Sequence, residues 1–403
     1  MSVLPYLTSD LPGIGGEIKQ RVEDFRVMEI PLYEPCGEGT HVYFRVEKRG
    51  IPTPAAVNRL AKYMGVWSRD IGVAGLKDAM GVSSQMMSLE HADAEKLATY
   101  SDSQMRVTWT GLHTNKLRTG HLAGNFFNIK IRHVGAAQLE AAKPILDILT
   151  RRGVPNYFGS QRFGLRGDTA LLGKALLCDD LQEFVEIFLG RPMDCDPPDC
   201  KAARDAFDVD TLDRALKRWP RHYVDQRKAL SAYKKKHRPG PAVGAIEKRM
   251  KRFFISAFQS AIFNDVLAER IDSFDRVMPG DFAKKTDGGG VFPVEDLDTE
   301  QARAEKFEIS ATGILPGSRS EIASGELGEI ENHVIASHGV SIDRFGKIGS
   351  LKVQGTRRAL RYKLEQPTIT AGMDEYGEFI EFSFGAQSGC YATVAVEEIT
   401  KNR

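Results

Sequence analysis

The period of the hydrophobic pattern changes twice along the chain, and this constrains the fold more than any other feature. Up to about residue 168, short alternating runs are interleaved with helical spacing. "HVYFRVEK" sets Val42, Phe44 and Val46 against Tyr43, Arg45 and Glu47, the pattern of a half-buried strand. "TPAAVNRLAKYMG" places Thr53 at an N-cap, Pro54 at the first helical position and Gly65 at the stop. "SRDIGVAGLKD" reads as a short buried strand running into Asp78. "NFFNIKIRH" reads as a strand with Phe127, Ile129 and Ile131 inward, and "AAQLEAAKPILDILTRRG" as an amphipathic helix ended by Gly153. From Thr169 to about Ser350 the spacing is mostly helical, as in "ALLGKALL" and "FFISAFQSAIFNDVLAERI", with a Gly-tipped hairpin in "MPGDFAKKTDGGGVFPV". Strand patterns then return. "FIEFSF" alternates Ile380, Phe382 and Phe384 against Glu381 and Ser383, and "CYATVAVEEI" reads as another strand. Strand-rich ends around a helix-rich middle predict one sheet domain, residues 1–168 and 349–403, with a second domain, 169–348, inserted in it.

Composition narrows the class. The 403 residues are enough for two or three domains, and 42% apolar with 27% charged residues is ordinary for a globular chain. No run of eighteen apolar residues is present, so no membrane span is expected, and the start carries no basic and apolar leader pattern. Five scattered cysteines fit a reduced, cytoplasmic setting. "CDPPDC" pairs Cys195 with Cys200, but no second pair or nearby histidine completes a zinc site. The net charge of +1 hides a local excess. Arg214 to Arg252 holds fourteen Lys/Arg against two acidic residues, and its centre reads "RKALSAYKKKHRPGP". Such a basic arm suits a phosphate backbone, with Lys234, Lys235, Lys236 and Arg238 as contacts.

Several familiar sites are missing. There is no phosphate-binding G-x-x-x-x-G-K-[ST] loop, no G-x-S-x-G elbow, no H-x-x-x-H and, near the Gly-rich stretches, no acidic cluster of the kind a metal-dependent nuclease needs. Cofactor-free chemistry remains, and one carboxylate is enough to carry it. Asp78, in "AGLKDAMGVSSQ", follows Gly72 and Gly75, where a turn role is the plain alternative. Other dense stretches are "KLRTGHLAGN", "PNYFGSQRFG" and "GTRRALRYK". Arg162 reads as a brace for its Gly/aromatic turn.

Taken together, "EDFRVMEI", "GEGTHVYFRVEKRG", "AGLKD", "KLRTGHLAGNFFNIKIR", "VPNYFGSQRFG", "FQSAIFN", "GTRRAL" and "YATVAVEEI" resemble, in order and spacing, the TruD family of tRNA pseudouridine synthases. The resemblance covers nearly the whole chain. It implies an α+β fold: a pseudouridine synthase core on a mixed, mostly antiparallel sheet, with an inserted family-specific α/β domain. It implies isomerisation of uridine to pseudouridine in tRNA, usually at U13 of the D arm, without cofactor or metal. By the motif match, Asp78 is the nucleophile, Phe25 and Tyr391 hold the target uracil, Asn125 binds it, and Lys19 is a basic residue of the site. Lys77 is adjacent to Asp78, and neighbours in an extended segment point to opposite faces. The counter-charge to Asp78 is therefore assigned to Lys19 or Arg358. Gly81, Ser83 and Glu397 depart from the family's usual Ala, Thr and Arg, and "FGAQSGCYAT" lacks its usual proline. A non-catalytic RNA-binding protein, a nuclease and a partner for acidic proteins are the rival readings. The chain is expected to act as a monomer.

Overall fold

The computed structural model describes residues 4–346, 351 and 353–402. The chain divides into two compact units: Tyr6–Val154 with Tyr362–Arg403, and Met1–Pro5 with Pro155–Arg361. The segment expected as an insertion, 169–348, falls within the second unit. Its expected end at 348/349 lies outside the described residues.

The first unit is built on strands β1 (Phe25–Pro31), β2 (His41–Arg49), β3 (Gly72–Val73), β4 (Val82–Glu90), β5 (Met105–His113) and β6 (Leu122–Arg132), with helices α1 (Thr53–Met64), α2 (Ala94–Ala98) and α3 (Ala136–Arg152). Two late strands, Glu365–Asp374 and Gly377–Gln387, complete an eight-stranded sheet. Its order is Glu365–Asp374, Gly377–Gln387, β6, β1, β4, β2, β5, with β3 on β4. Only the β1–β4 pairing is parallel, so the sheet is mixed and mostly antiparallel.

The β2 stripe forms as its alternation predicts. Val42, Phe44 and Val46 pack with Ala56, Val57, Leu60 and Ala61 of α1 and with Met87, Leu89 and Val107. Each of these larger side chains contributes roughly 1.5–3 kcal/mol on burial. The opposite face of β2 is less exposed than the pattern suggests, because Tyr43 is covered by Ala74, Met86, Leu117 and Leu122. Phe127, Ile129 and Ile131 are buried as expected, beside Ile380, Phe382 and Phe384 of the last strand. The N-cap of helix α1 lies one residue earlier than its sequence implies: Pro52 takes that place, and the Thr53 side chain is used elsewhere. Gly65 closes the helix at φ +75°, in the left-handed region that favours glycine.

One element differs in kind. "CYATVAVEEI" was expected as a strand, but Ala392–Thr400 is a helix. A short apolar run does not distinguish a strand from a buried helix by period. Here Val394, Ala395, Val396, Glu398 and Ile399 are all buried, so the helix is enclosed on most sides and shows no clear stripe. The Glu398 carboxylate accepts hydrogen bonds from Leu7 N, Thr8 N and the Thr8 hydroxyl.

The second unit is mainly helical: α4 (Thr169–Leu177), α5 (Leu181–Leu189), α6 (Pro198–Asp208), α7 (Leu212–Arg218), α8 (Val224–Lys236), α9 (Pro239–Gly244) and α10 (Lys248–Glu269). Its antiparallel sheet is ordered Thr356–Ala359, Ile309–Leu315, Phe282–Lys285, Val291–Pro293. The expected hairpin is the Phe282–Lys285/Val291–Pro293 pair. The basic segment is not an arm. Trp219, Ala229, Leu230, Ala242, Val243 and Ile246 anchor α7 to α9 in a shared core, leaving the charges on the outer side. "PNYFGSQRFG" docks on α10: Asn264 bonds both N and O of Phe158, and Arg162 donates to Ser256 and Ser260.

Candidate active site

The strand register of the first unit assembles a polar row at the centre of the sheet. Val46 lies opposite Gln85, Glu29 opposite Asn125, and Asn125 opposite Ala386, all on the face that also carries Phe44, Met87 and Phe127. Gln85, Glu29 and Asn125 are thus polar positions inside an otherwise apolar face. The adjacent row places Lys48 opposite Ser83, Ser83 beside Val27, and Val27 opposite Phe127.

The segment Ala74–Gly81 connects β3 to β4 over this row. Its inward side is bonded at several points. The Lys77 ammonium lies 2.9 Å from Glu29 Oε1 and donates to Asn125 Oδ1 at 2.7 Å. Lys77 N donates to the Thr53 hydroxyl, and Thr53 N donates to Lys77 O. The Thr53 hydroxyl donates to Gln85 Oε1, and Gln85 Nε2 donates to Gly75 O. Glu29 Oε2 accepts from Met86 N. With Lys77 turned in, its neighbours turn out: Leu76, Asp78 and Met80 are exposed.

Gly81 fits close against Phe25. A Cβ there would come within 2.6 Å of Phe25 O. Phe25 is buried at the head of β1, edge-on to Phe127, and the Lys19 ammonium sits 4.5 Å from the centre of its ring. Asp24, just before Phe25, accepts from Arg132 at 2.6 and 3.0 Å, and Arg132 also binds Asp374. These contacts hold the Arg132 guanidinium far above its ordinary range and the Asp374 carboxyl far below its own. Tyr391 is the N-cap of the C-terminal helix, and its carbonyl accepts from the Tyr362 hydroxyl. It follows the strand end where Gln387 faces Gly124 and Ser388 N bonds Ala123 O.

The first unit therefore gathers Phe25, Lys19, Asn125 and the Asp78 segment around neighbouring strands, with Tyr391 just past the end of the adjoining one. Arg358 belongs to the second unit, where it donates to Asn156 and lies 4.2 Å from the Phe158 ring centre. Sequence reasoning missed Lys48, Glu29, Thr53 and Gln85, and dismissed Lys77. Lys48 left a readable signal, since it extends the buried 42/44/46 stripe with a charge. It is fully buried, and its ammonium donates to Ile51 O at 2.6 Å and Asp78 O at 3.2 Å. Burial pushes its amine down to about 8; Lys77 adds to this, and Asp78 and Glu29 oppose it.

Among the described residues no three His, Cys, Asp or Glu side chains gather as metal ligands, and no helix is long and apolar enough to cross a membrane. In the second unit, Lys234 pairs with Asp213, while Lys235, Lys236 and Arg238 lie toward the solvent side. A groove of about 530 Å³ is lined by Lys217, Arg218, Trp219, Arg221 and Arg227, and a neighbouring one includes Arg227, Lys228 and Lys235.

A model of the family tRNA pseudouridine synthase D (TruD) matches residues 3–399. The chain is 40% identical to tRNA pseudouridine synthase D of Geotalea daltonii, over 99% of this chain and 100% of that one. It is 41% identical to tRNA pseudouridine synthase D of Geobacter metallireducens, over 98% and 97%. A crystal structure described as a putative tRNA pseudouridine synthase D (TruD) of Methanosarcina mazei superimposes with a TM-score of 0.86 at 28% identity, covering 100% of this chain and 97% of that one. The mixed sheet and the fold match define an α+β enzyme of the pseudouridine synthase class. More narrowly, the chain belongs to the tRNA pseudouridine synthase D (TruD) family of tRNA-modifying isomerases.

Proposed function

We propose that this protein isomerises uridine to pseudouridine in tRNA, at U13 of the D arm, with Asp78 as the nucleophile and no cofactor. The observation that carries this reading is the placement of Asp78. It is exposed on a segment whose inward side is bonded to the sheet beneath, at Gly75 O and the Lys77 ammonium to the polar row and at Asp78 O to Lys48 of the adjacent row. A turn residue needs no such support.

The reaction breaks the N1–C1′ bond, turns the freed uracil and joins C5 to C1′. C5 loses a proton and N1 gains one, so no electrons are exchanged. A carboxylate serves it by attacking C1′ or C6, or by taking a proton from the ribose. The target base starts inside folded RNA and must be flipped out. Phe25 and Tyr391 then replace stacking worth roughly 1–3 kcal/mol per base. Lys77 occupies Asn125 Oδ1, so in this reading the Asn125 amide N–H groups are the donors for a uracil carbonyl. Lys19, beside Phe25, supplies positive charge at the same end of β1.

In this reading Tyr6–Val154 with Tyr362–Arg403 is the catalytic domain and Pro155–Arg361 the inserted one. The basic helices α7 to α9 follow the tRNA backbone. A monomeric, cytoplasmic enzyme completes the proposal. Carbodiimide mapping of a tRNA transcript after incubation tests the position. A reverse-transcription stop one nucleotide 3′ of position 13, absent from a U13→C transcript, is expected. A stop elsewhere overturns the assigned position, and no stop in any tRNA overturns the activity.

A further inference from the structure

We infer that Lys48 is a positioning residue for this isomerisation, its buried ammonium tying the backbone of Asp78 to the Ile51 turn and so holding the nucleophile over the sheet. The inference rests on the reading of Asp78 as nucleophile and adds a residue to it. Lys48 ends the stripe Val42, Phe44, Val46, where an apolar side chain of equal length would fill the space without desolvating a charge. What the ammonium does, and methionine cannot, is donate to two carbonyls on separate segments: Ile51 O, just before α1, and Asp78 O. Both bonds are charge-assisted and stronger for the ammonium than for the neutral amine. The other inward groups of the segment are held through Thr53 and Gln85 or through Lys77, and none of these bonds involves a backbone atom of Asp78. Lys48 grips the reacting residue itself.

The charged groups acting on Lys48 are Lys77, Asp78 and Glu29. With its amine pushed down to about 8, Lys48 holds its charge below that pH and loses it above. Activity is therefore expected to fall on the alkaline side as both bonds weaken.

The test is steady-state kinetics of wild type, Lys48→Met, Lys48→Ala and Asp78→Asn on an unmodified tRNA transcript across neutral to alkaline pH. Lys48→Met is expected to lose about 10²-fold in kcat, the effect of a small misplacement of a reacting group, with tRNA affinity and KM unchanged. The alkaline decline should vanish from what activity remains. Propylammonium should restore kcat to Lys48→Ala, which a purely structural loss would not allow. Wild-type kcat and pH profile in Lys48→Met would overturn the inference. So would a joint loss of kcat and tRNA binding with no amine rescue of Lys48→Ala, the arm that decides if Lys48→Met misfolds. An inert Asp78→Asn beside a normal Lys48→Met removes Lys48 alone. An active Asp78→Asn removes the reading of Asp78.

Discussion

At the scale of single residues, Lys77 and Lys48 show two different uses of a buried lysine. Lys77 neutralises Glu29 and fixes the orientation of Asn125, with side-chain exposures of only 10% and 3% for the ion pair. Removing one partner of a buried pair leaves the other charged and desolvated, which typically costs about 3–5 kcal/mol. Lys77→Met is therefore expected to lower the unfolding free energy by about 3 kcal/mol in urea titrations, and a loss below about 1 kcal/mol would show that Glu29 finds another partner. Lys48 instead bonds two backbone carbonyls, and its folded amine sits well below the usual lysine value. Between about pH 8 and 10.5 the unfolded chain keeps a proton that the folded chain has released, so stability rises with pH in that window, by at most about 1.4 kcal/mol per unit. Below pH 8 the contribution is flat. The stability difference between wild type and Lys48→Met should follow this course, and a difference constant from pH 7 to 10 would contradict it.

At the scale of elements, β1 matters most, because its head carries Phe25 and its middle carries Glu29. Its start is pinned by Asp24 to Arg132 of β6, both nearly inaccessible. Asp24→Asn should destabilise the protein by about 3 kcal/mol, reduced in part because Asp374 still holds Arg132. An unchanged midpoint in thermal melts would show the pair to be dispensable. The strands of this sheet were legible because their alternation is clean: Val42/Phe44/Val46 and Phe127/Ile129/Ile131 face inward as read. The C-terminal helix was not legible, since Val394 and Val396 mimic alternation while burial on most sides erases the helical stripe. What the motifs supplied of the candidate site is a set of residues that the fold brings into one unit. Asp78, Phe25, Asn125 and Lys19 fall within one unit. The polar row was hidden because Gln85, Glu29 and Asn125 are far apart in sequence and become neighbours only through strand register. Lys77 does face away from Asp78, as adjacent residues in an extended segment do, but the rule is silent on the inward partners Glu29 and Asn125, which lie far off in sequence.

At the scale of the whole molecule, the two units differ in composition. One holds the polar row in an apolar face. The other presents a basic helical surface in which Lys217, Arg218, Arg221, Lys228 and Lys235 border two grooves that share Arg227. Arg227 itself donates to Leu216 O and Trp219 O at the end of α7, so it shapes the groove while the outer cations face solvent. Replacing Lys234, Lys235 and Lys236 together with glutamate should weaken tRNA binding. It should also flatten the dependence of log affinity on log salt by about 0.7–0.9 for each phosphate no longer neutralised. Unchanged affinity and slope would take these helices off the RNA path. The central claim is that the segment over the sheet presents Asp78 as the nucleophile. Tritium release from C5-labelled tRNA transcripts in EDTA, by wild type and by folded Asp78→Asn, tests it most directly. Release by the wild type alone is the predicted result. Equal release by both would return Asp78 to an ordinary turn and contradict the account.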